Sequence, residues 1–323
     1  MQPASYAGLP VQPLGRLPGN MSQRVLACVT FHYATARLGW LKQTLDCFAA
    51  YPCPVHLIIL TNAHLADEAS AIERAIPPGR FTQAEVRHVG GLPHPFELTW
   101  AHKPIIANEF PHNGNTHFIY VEDDILIPPE AFGYWVKHRP ALDRRGLMPG
   151  FVRVERAHAS GVLFATDQMG PTQLDYARMV RVGGWTFTNL NSSYVGSFIL
   201  DRALADEYVA SRSFNLAGSA AVKANWGVRE RAAMGLCFEN VPRFFWSRLV
   251  VPFHRKTLQV PGFAHVTHAP ANYANDPASD LARIRVDGML LPPSLRHYVQ
   301  ERGRTVRRLL GSSVARFSGR PEV

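Results

Sequence analysis

The sequence predicts an α/β protein with a mostly parallel central sheet flanked by helices, and three observations carry that expectation. First, Arg24-Val25-Leu26-Ala27-Cys28-Val29-Thr30-Phe31 is a short apolar run of strand formers, Leu38, Leu41, Leu45 and Phe48 then recur at helical spacing, and Val55-His56-Leu57-Ile58-Ile59-Leu60 is apolar again. Strand, helix and strand within about 35 residues describe a βαβ unit. Second, these runs are continuous and not alternating, the pattern of strands covered on both faces in a parallel sheet. Third, His117-Phe118-Ile119-Tyr120-Val121 is one more such strand, and it ends in Glu122-Asp123-Asp124, where sheets of this kind bind their ligands.

At 323 residues, 46% hydrophobic and 18% charged, the chain can bury a sizeable core and is too apolar to be disordered. Residues 1–23 hold four Pro and three Gly with no apolar run, and read as a flexible leader, not a signal peptide. No stretch approaches the ~20 apolar residues of a membrane span. A soluble, cytoplasmic protein is expected. Four Cys, at positions 28, 47, 53 and 237, have neither the density of a disulfide scaffold nor the paired spacing of a zinc site, and are expected to be reduced thiols. The two Asn-x-Ser matches, at Asn20 and Asn191, are read as chance without a secretory signal.

Further along, residues 67–75 look helical, Pro77-Pro78-Gly79 breaks that helix, and Glu85-Val86-Arg87-His88-Val89 is a third strand followed by a Gly/Pro loop. Residues 100–110 are expected to form a helix that carries His102 and Lys103. Pro129 starts another helix, to about residue 138, with Phe132, Trp135 and Val136 on its apolar face. Residues 150–155 alternate as a strand, and a loop-rich region then runs to about residue 184. Asn191-Ser192-Ser193-Tyr194 leads through a strand to Asp201, a helix cap. Residues 226–235 read as a helix, and His265 and His268 stand three apart in a polar, aromatic loop.

The three carboxylates carry the chemistry. Removing them from water is costly unless a cation or many donors compensate them. Asp and Glu oxygens suit Mg²⁺ or Mn²⁺, which bind through one or two carboxylates and complete their shells with water and substrate phosphates. The plain alternative is that Asp123 or Asp124 caps the helix opened by Pro128-Pro129-Glu130, a task that needs one acid and not three.

A strand reading Phe-Ile-Tyr-Val followed by Glu122-Asp123-Asp124 resembles the Asp-x-Asp motif of GT-A type glycosyltransferases, which hold a divalent metal against a nucleotide-sugar diphosphate. That resemblance implies a GT-A, Rossmann-like fold over residues 24–290, with a nucleotide half at about 24–130 and an acceptor half at about 131–290 fused to it. It implies Mn²⁺ or Mg²⁺ as cofactor, a nucleotide-diphosphate sugar as donor, and a glycan, lipid-linked or small-molecule hydroxyl as acceptor. Asp123 and Asp124 become the metal candidates and Glu122 the acid on the nucleotide side. Thr30, Phe31 and Arg37, at and after the first strand end, match positions that approach the nucleotide, and Lys103 matches a basic residue that faces donor phosphates or sugar. Tyr194 falls where a residue lines the sugar pocket. Glu230 falls on the helix that carries the proton-accepting acid in inverting members, where the acceptor hydroxyl must lose its proton. His265 and His268 match a late His that some members place on the cation, and an imidazole ligand favours Mn²⁺. Plain readings stand beside these: surface roles for Arg37, Lys103 and Glu230, packing for Tyr194, and loop polarity for the histidines.

The formal charge of +9 is uneven, since residues 291–323 carry seven Arg against two Glu. Arg302, Arg304, Arg307 and Arg308 beside Leu309 and Leu310 describe a basic helix that could touch the inner face of an anionic membrane, or a solvated tail. Two other functions compete. A sugar-phosphate nucleotidyltransferase would share the βαβ unit and metal, but wants a glycine-rich basic loop after the first strand, and residues 31–39 contain one Gly. A nucleic-acid binder would use the Arg-rich tail, but strand-end acids do not help bind phosphate without metal, which makes nucleic acid an unfavoured partner.

Overall fold

The computed structural model describes residues 23–222 and 225–293. The chain opens with β1 (Val25–Phe31), α1 (Leu38–Ala49), β2 (Val55–Thr61), α2 (Ala66–Ala75), β3 (Gln83–His88) and β4 (His117–Glu122). β1 pairs in parallel with both β2 and β4, which makes it a central strand, and all of its side chains are buried. β3 extends the sheet beyond β2, and the strand Ser197–Asp201 runs antiparallel along β4 on the other side. The order across the sheet is therefore β3, β2, β1, β4 and Ser197–Asp201. This is a mixed α/β fold with a mostly parallel central sheet flanked by helices. The chain steps outward from β1 to β3 and then returns to the opposite side of β1 with β4. Strand order reverses between β1 and β4, and in open α/β sheets such a crevice, beyond the carboxyl ends of the strands, receives ligands.

β5 (Ile125–Leu126) follows β4 and leads into α3 (Pro129–Asp143), which starts on proline as expected and continues past residue 138 with Pro140 inside it. A second sheet gathers strands from later in the chain. β5 pairs antiparallel with His265–His268, which runs parallel to Val152–Arg156, and that strand pairs in turn with Leu163–Ala165. The short β5 thus joins the end of the first sheet to the second. Buried apolar side chains form one cluster that extends from Val25 to Leu290.

Several local expectations change. Residues 100–110 do not form one regular helix: a 3₁₀ turn, Pro95–Trp100, gives way to a π-helical turn, Ile105–Glu109, because Pro104 lacks the N–H that a regular turn would use there. The loop-rich region to residue 184 contains the short strands Leu163–Ala165, Thr172–Gln173 and Met179–Val182. The helix expected over 226–235 is only Val228–Ala232, followed closely by Gly235 with a left-handed backbone. His265–His268 is a strand and not a loop. Asp201 does cap its helix, α4 (Arg202–Ala210), its side chain accepting from the Leu204 N–H at 2.8 Å.

Of the leader expected over 1–23, residues 1–22 lie outside the described residues, as does the basic tail from residue 294, with Arg302, Arg304, Arg307 and Arg308. Leu290–Leu291 pairs in parallel with Thr172–Gln173, so strand pairing crosses the boundary expected at residue 290. Among the described residues, no helix is long and apolar enough to cross a membrane.

Candidate functional site

Glu122 ends β4, and Asp123-Asp124 make the turn into β5. Neighbouring elements fix this backbone. The Glu122 N–H donates to Gly196 O at 3.0 Å and the Asp123 N–H to Thr30 O at 3.2 Å, while Asp124 O accepts from the Ala269 N–H at 2.8 Å. From α1, Thr44 Oγ1 donates to Asp123 O at 2.9 Å. Gly196 has φ of +69°, and a Cβ there would stand 3.0 Å from Ile125 Cγ1 and 3.5 Å from the Glu122 carboxyl carbon. Glycine is the residue that lets the backbone approach this closely.

All three acids are buried. Burial, reinforced by the neighbouring Asp124 charge, pushes Glu122 up to about 7. Burial also pushes Asp123 up to about 7, against the opposing pull of Arg37. Asp124 is held below the usual carboxylate range because His268 and Arg37 together outweigh the burial that would raise it.

Arg37 sits at the end of a 3₁₀ turn, Thr35–Arg37, directly after β1. Its Nε donates to Asp123 Oδ2 at 3.0 Å and its Nη2 to Asp123 Oδ1 at 2.8 Å, a fork that matches a carboxylate. The same Nη2 reaches Asp124 Oδ2 at 2.9 Å. Arg37 was expected to face a nucleotide phosphate, and its partners here are carboxylates.

On the other side of Asp124 stands His268. Its Nε2 lies 3.6 Å from Asp124 Oδ2, too long for a hydrogen bond, and its Nδ1 bonds Glu155 Oε1. Glu155 is fully buried and accepts from the Ala274 N–H at 2.6 Å with its second oxygen. Tyr273 stacks on the imidazole, with centroids 5.1 Å apart and planes 13° from parallel. Burial works against the charged ring, but the Asp124 and Glu155 carboxylates hold its pKa above the usual imidazole range.

Glu122 faces a different set of partners. Its Oε1 accepts from the Tyr194 hydroxyl at 2.8 Å, and Tyr194 stacks on Trp226 at 5.8 Å. Arg153 lies 5.1 Å from the Tyr194 ring and is itself tied to Asp167 and to Thr166 Oγ1. Arg229, on the short helix Val228–Ala232, also lowers the cost of charge on Glu122. Glu230 is next to it and pairs with Arg229 Nη2 at 3.1 Å, with 24% of its side chain exposed. Trp100 Nε1 donates to Val228 O at 3.0 Å and anchors this helix.

Other expected residues sit elsewhere in the fold. Thr30 contributes its backbone carbonyl to the site, but Phe31 is fully buried in the core, since β1 is covered on both faces, and no nucleotide can stack on it. Lys103 is buried among aromatic rings, its Nζ bonding the Tyr208 hydroxyl and lying 4.8 Å from the Trp100 ring and 5.2 Å from the Phe214 ring. His265 and His268 cannot serve one cation together. In a strand, residues three apart point to opposite faces, and His265 is half-buried on the face away from His268, its pKa lowered by burial to about 4.

Among the described residues, no group of three or more His, Cys, Asp and Glu side chains is arranged to hold a metal ion. The residues present fit a hard cation that takes a small protein share of its shell. Asp124 Oδ1 is buried without a hydrogen-bond partner, and the neighbouring His268 Nε2 is within reach of the same carboxylate without bonding it. Sequence reasoning missed Glu155, Arg153, Arg229 and Tyr273. Glu155 had one available signal, a lone acid closing the apolar alternation Val152-Arg153-Val154. No protein-family model matches the chain, and no curated protein matches it.

Proposed function

We propose that this chain is a metal-dependent glycosyltransferase of GT-A type, moving a sugar from a nucleotide-diphosphate sugar to a hydroxyl acceptor, which is a glycan, a lipid-linked molecule or a small molecule. One observation carries the reading: Glu122-Asp123-Asp124 end β4 at the crevice where strand order reverses, with Arg37 on one side of Asp124 and His268 on the other. In this reading Asp124 and His268 hold the cation, and the imidazole favours Mn²⁺ over Mg²⁺. A cation bound there supplies positive charge against the diphosphate leaving group. Arg37 adds a guanidinium to the same electrostatic task. Glu155 keeps Nε2 of His268 directed at Asp124, as a carboxylate behind a ligating His commonly does.

The acceptor enters from the side of Tyr194, Trp226 and Glu230. Glu230 takes the acceptor proton, and its partial exposure beside Arg229 leaves it accessible to a hydroxyl. The test is a thermal-shift screen of sugar nucleotides with and without Mn²⁺, because a ligand that binds the folded state raises its stability by mass action. A shift for one nucleotide that requires Mn²⁺ supports the reading. Shifts that ignore the metal, or none with any sugar nucleotide, contradict it.

A further inference from the structure

Arg37 holds the two aspartates unequally. It grips Asp123 with a two-bond fork, at 3.0 and 2.8 Å, and touches Asp124 through a single bond at 2.9 Å from the shared Nη2. Its Nη1 makes no hydrogen bond among the described residues. The guanidinium is the outer layer of the cluster, for 34% of the Arg37 side chain is exposed against 4% for Asp123 and 9% for Asp124. Beneath it, Asp124 Oδ1 is buried and unpartnered. Trp40, whose ring lies 5.2 Å from the guanidinium, supports the arginine from its own side of the site.

These relations have a consequence for loading. A divalent cation on Asp124 would take the unpartnered Oδ1 of a carboxylate whose Oδ2 Nη2 already holds, and it brings two positive charges against a guanidinium. The weakest link is the single bond to Asp124, since the Asp123 fork has two bonds and can stay closed. A diphosphate arriving with the cation removes the conflict, because its oxygens accept from Nη1 and from the released side of Nη2.

We propose that Arg37 and the cation compete for Asp124, and that a diphosphate resolves the competition by taking over the freed N–H groups of Arg37 while its fork on Asp123 persists. The proposal rests on the metal-dependent reading above and adds to it a reason why cation and diphosphate would bind cooperatively. Each ligand favours the arrangement that the other needs, and such coupling is reciprocal.

The test measures Mn²⁺ binding to the full chain and to Arg37→Gln, first with Mn²⁺ alone and then by thermal shift with Mn²⁺ and inorganic pyrophosphate. Arg37→Gln should bind Mn²⁺ alone roughly ten-fold more tightly, the scale of one charge-assisted hydrogen bond. It should also lose most of the extra stabilisation that pyrophosphate gives the Mn²⁺-loaded wild type. Unchanged or weaker Mn²⁺ binding overturns the exchange, as does tighter binding with the pyrophosphate gain intact, which would make Arg37 only a nearby charge. Absence of Mn²⁺ binding to both proteins overturns the metal reading and the exchange with it, whereas the other two failures leave the metal reading standing. Should Arg37→Gln not fold, arginine-labelled wild type gives the answer by NMR. The Arg37 Nη–H signals should shift when Mg²⁺ is added and again with pyrophosphate, while the Nε–H signal of the persisting fork stays in place, and unmoved Nη–H signals overturn the proposal.

Discussion

Glu155 and His268 are bonded to one another across the second sheet, and the bond leaves the far ring nitrogen of His268 3.6 Å from Asp124 Oδ2. Glu155 reaches this place from the strand Val152–Arg156, which runs parallel to His265–His268, so the register between two strands sets the direction of the imidazole.

Glu155→Gln should therefore weaken Mn²⁺ binding by roughly 10- to 100-fold while the fold persists, the usual penalty for removing the carboxylate behind a ligating histidine. The pKa of His268 should fall in the same variant, since one of the two carboxylates that raise it is gone. Mn²⁺ titration and NMR titration of the ring check the two effects. A variant with lower Mn²⁺ affinity but an unmoved His268 pKa would place Glu155 outside this relay.

Glu122 gives a pH dependence with a definite sign. Its folded-state pKa is raised from 4.5 to about 7, so its contribution to stability is present below about 4.5 and lost as pH rises through 7. Glu122→Gln removes that loss and keeps the shape. The variant should gain stability relative to the wild type between pH 4.5 and about 7, approaching roughly 3 kcal/mol, and then level off. Urea unfolding of both proteins across this range, without metal, is the measurement. A difference that does not vary with pH would mean that Glu122 stays ionised throughout.

Gly196→Ala should cost about 1 to 3 kcal/mol, because φ of +69° is unfavourable for alanine and the added Cβ meets Ile125 at 3.0 Å. The Cβ would stand 3.5 Å from the Glu122 carboxyl carbon, an ordinary contact, so Mn²⁺ binding should hold while stability falls. Unfolding curves together with Mn²⁺ titration separate the two. A variant as stable as the wild type would show that this turn can relax.

Glu230→Gln should reduce turnover by ~10² to 10⁴-fold with donor affinity nearly unchanged, because Gln keeps the shape and loses the basicity. As a partly exposed ion pair with Arg229, Glu230 would otherwise contribute only about 0 to 1 kcal/mol to stability. Turnover and donor binding measured on one preparation distinguish these roles. Near-normal turnover would move the base elsewhere or indicate a retaining reaction.

The legible parts of this fold were those whose signal is local. β1, α1, β2 and β4 were readable because each is a short run whose periodicity belongs to itself, and Glu122-Asp123-Asp124 stood out because charge interrupts an apolar strand. What was hidden depends on distant partners. Arg37 and Asp123 are 86 residues apart, and nothing in either neighbourhood announces their fork. The bond of Tyr194 to Glu122 was equally hidden, since it comes from the antiparallel pairing of Ser197–Asp201 with β4. The two histidines misled because their spacing suits a loop or helix. Once His265–His268 is a strand, alternation sends the two to opposite faces. The burial of the Phe31 side chain was hidden for a related reason, since a central strand buries side chains up to its last residue.

Whether Asp124 couples a cation to a nucleotide diphosphate is decided by calorimetry of sugar-nucleotide binding to the wild type and to Asp124→Asn, with Mn²⁺ and after its removal by chelation. The substitution removes charge at nearly constant volume, so the variant should stay folded. The wild type should bind a sugar nucleotide only when Mn²⁺ is present, and folded Asp124→Asn should bind neither. Nucleotide binding that survives both chelation and the substitution would contradict it.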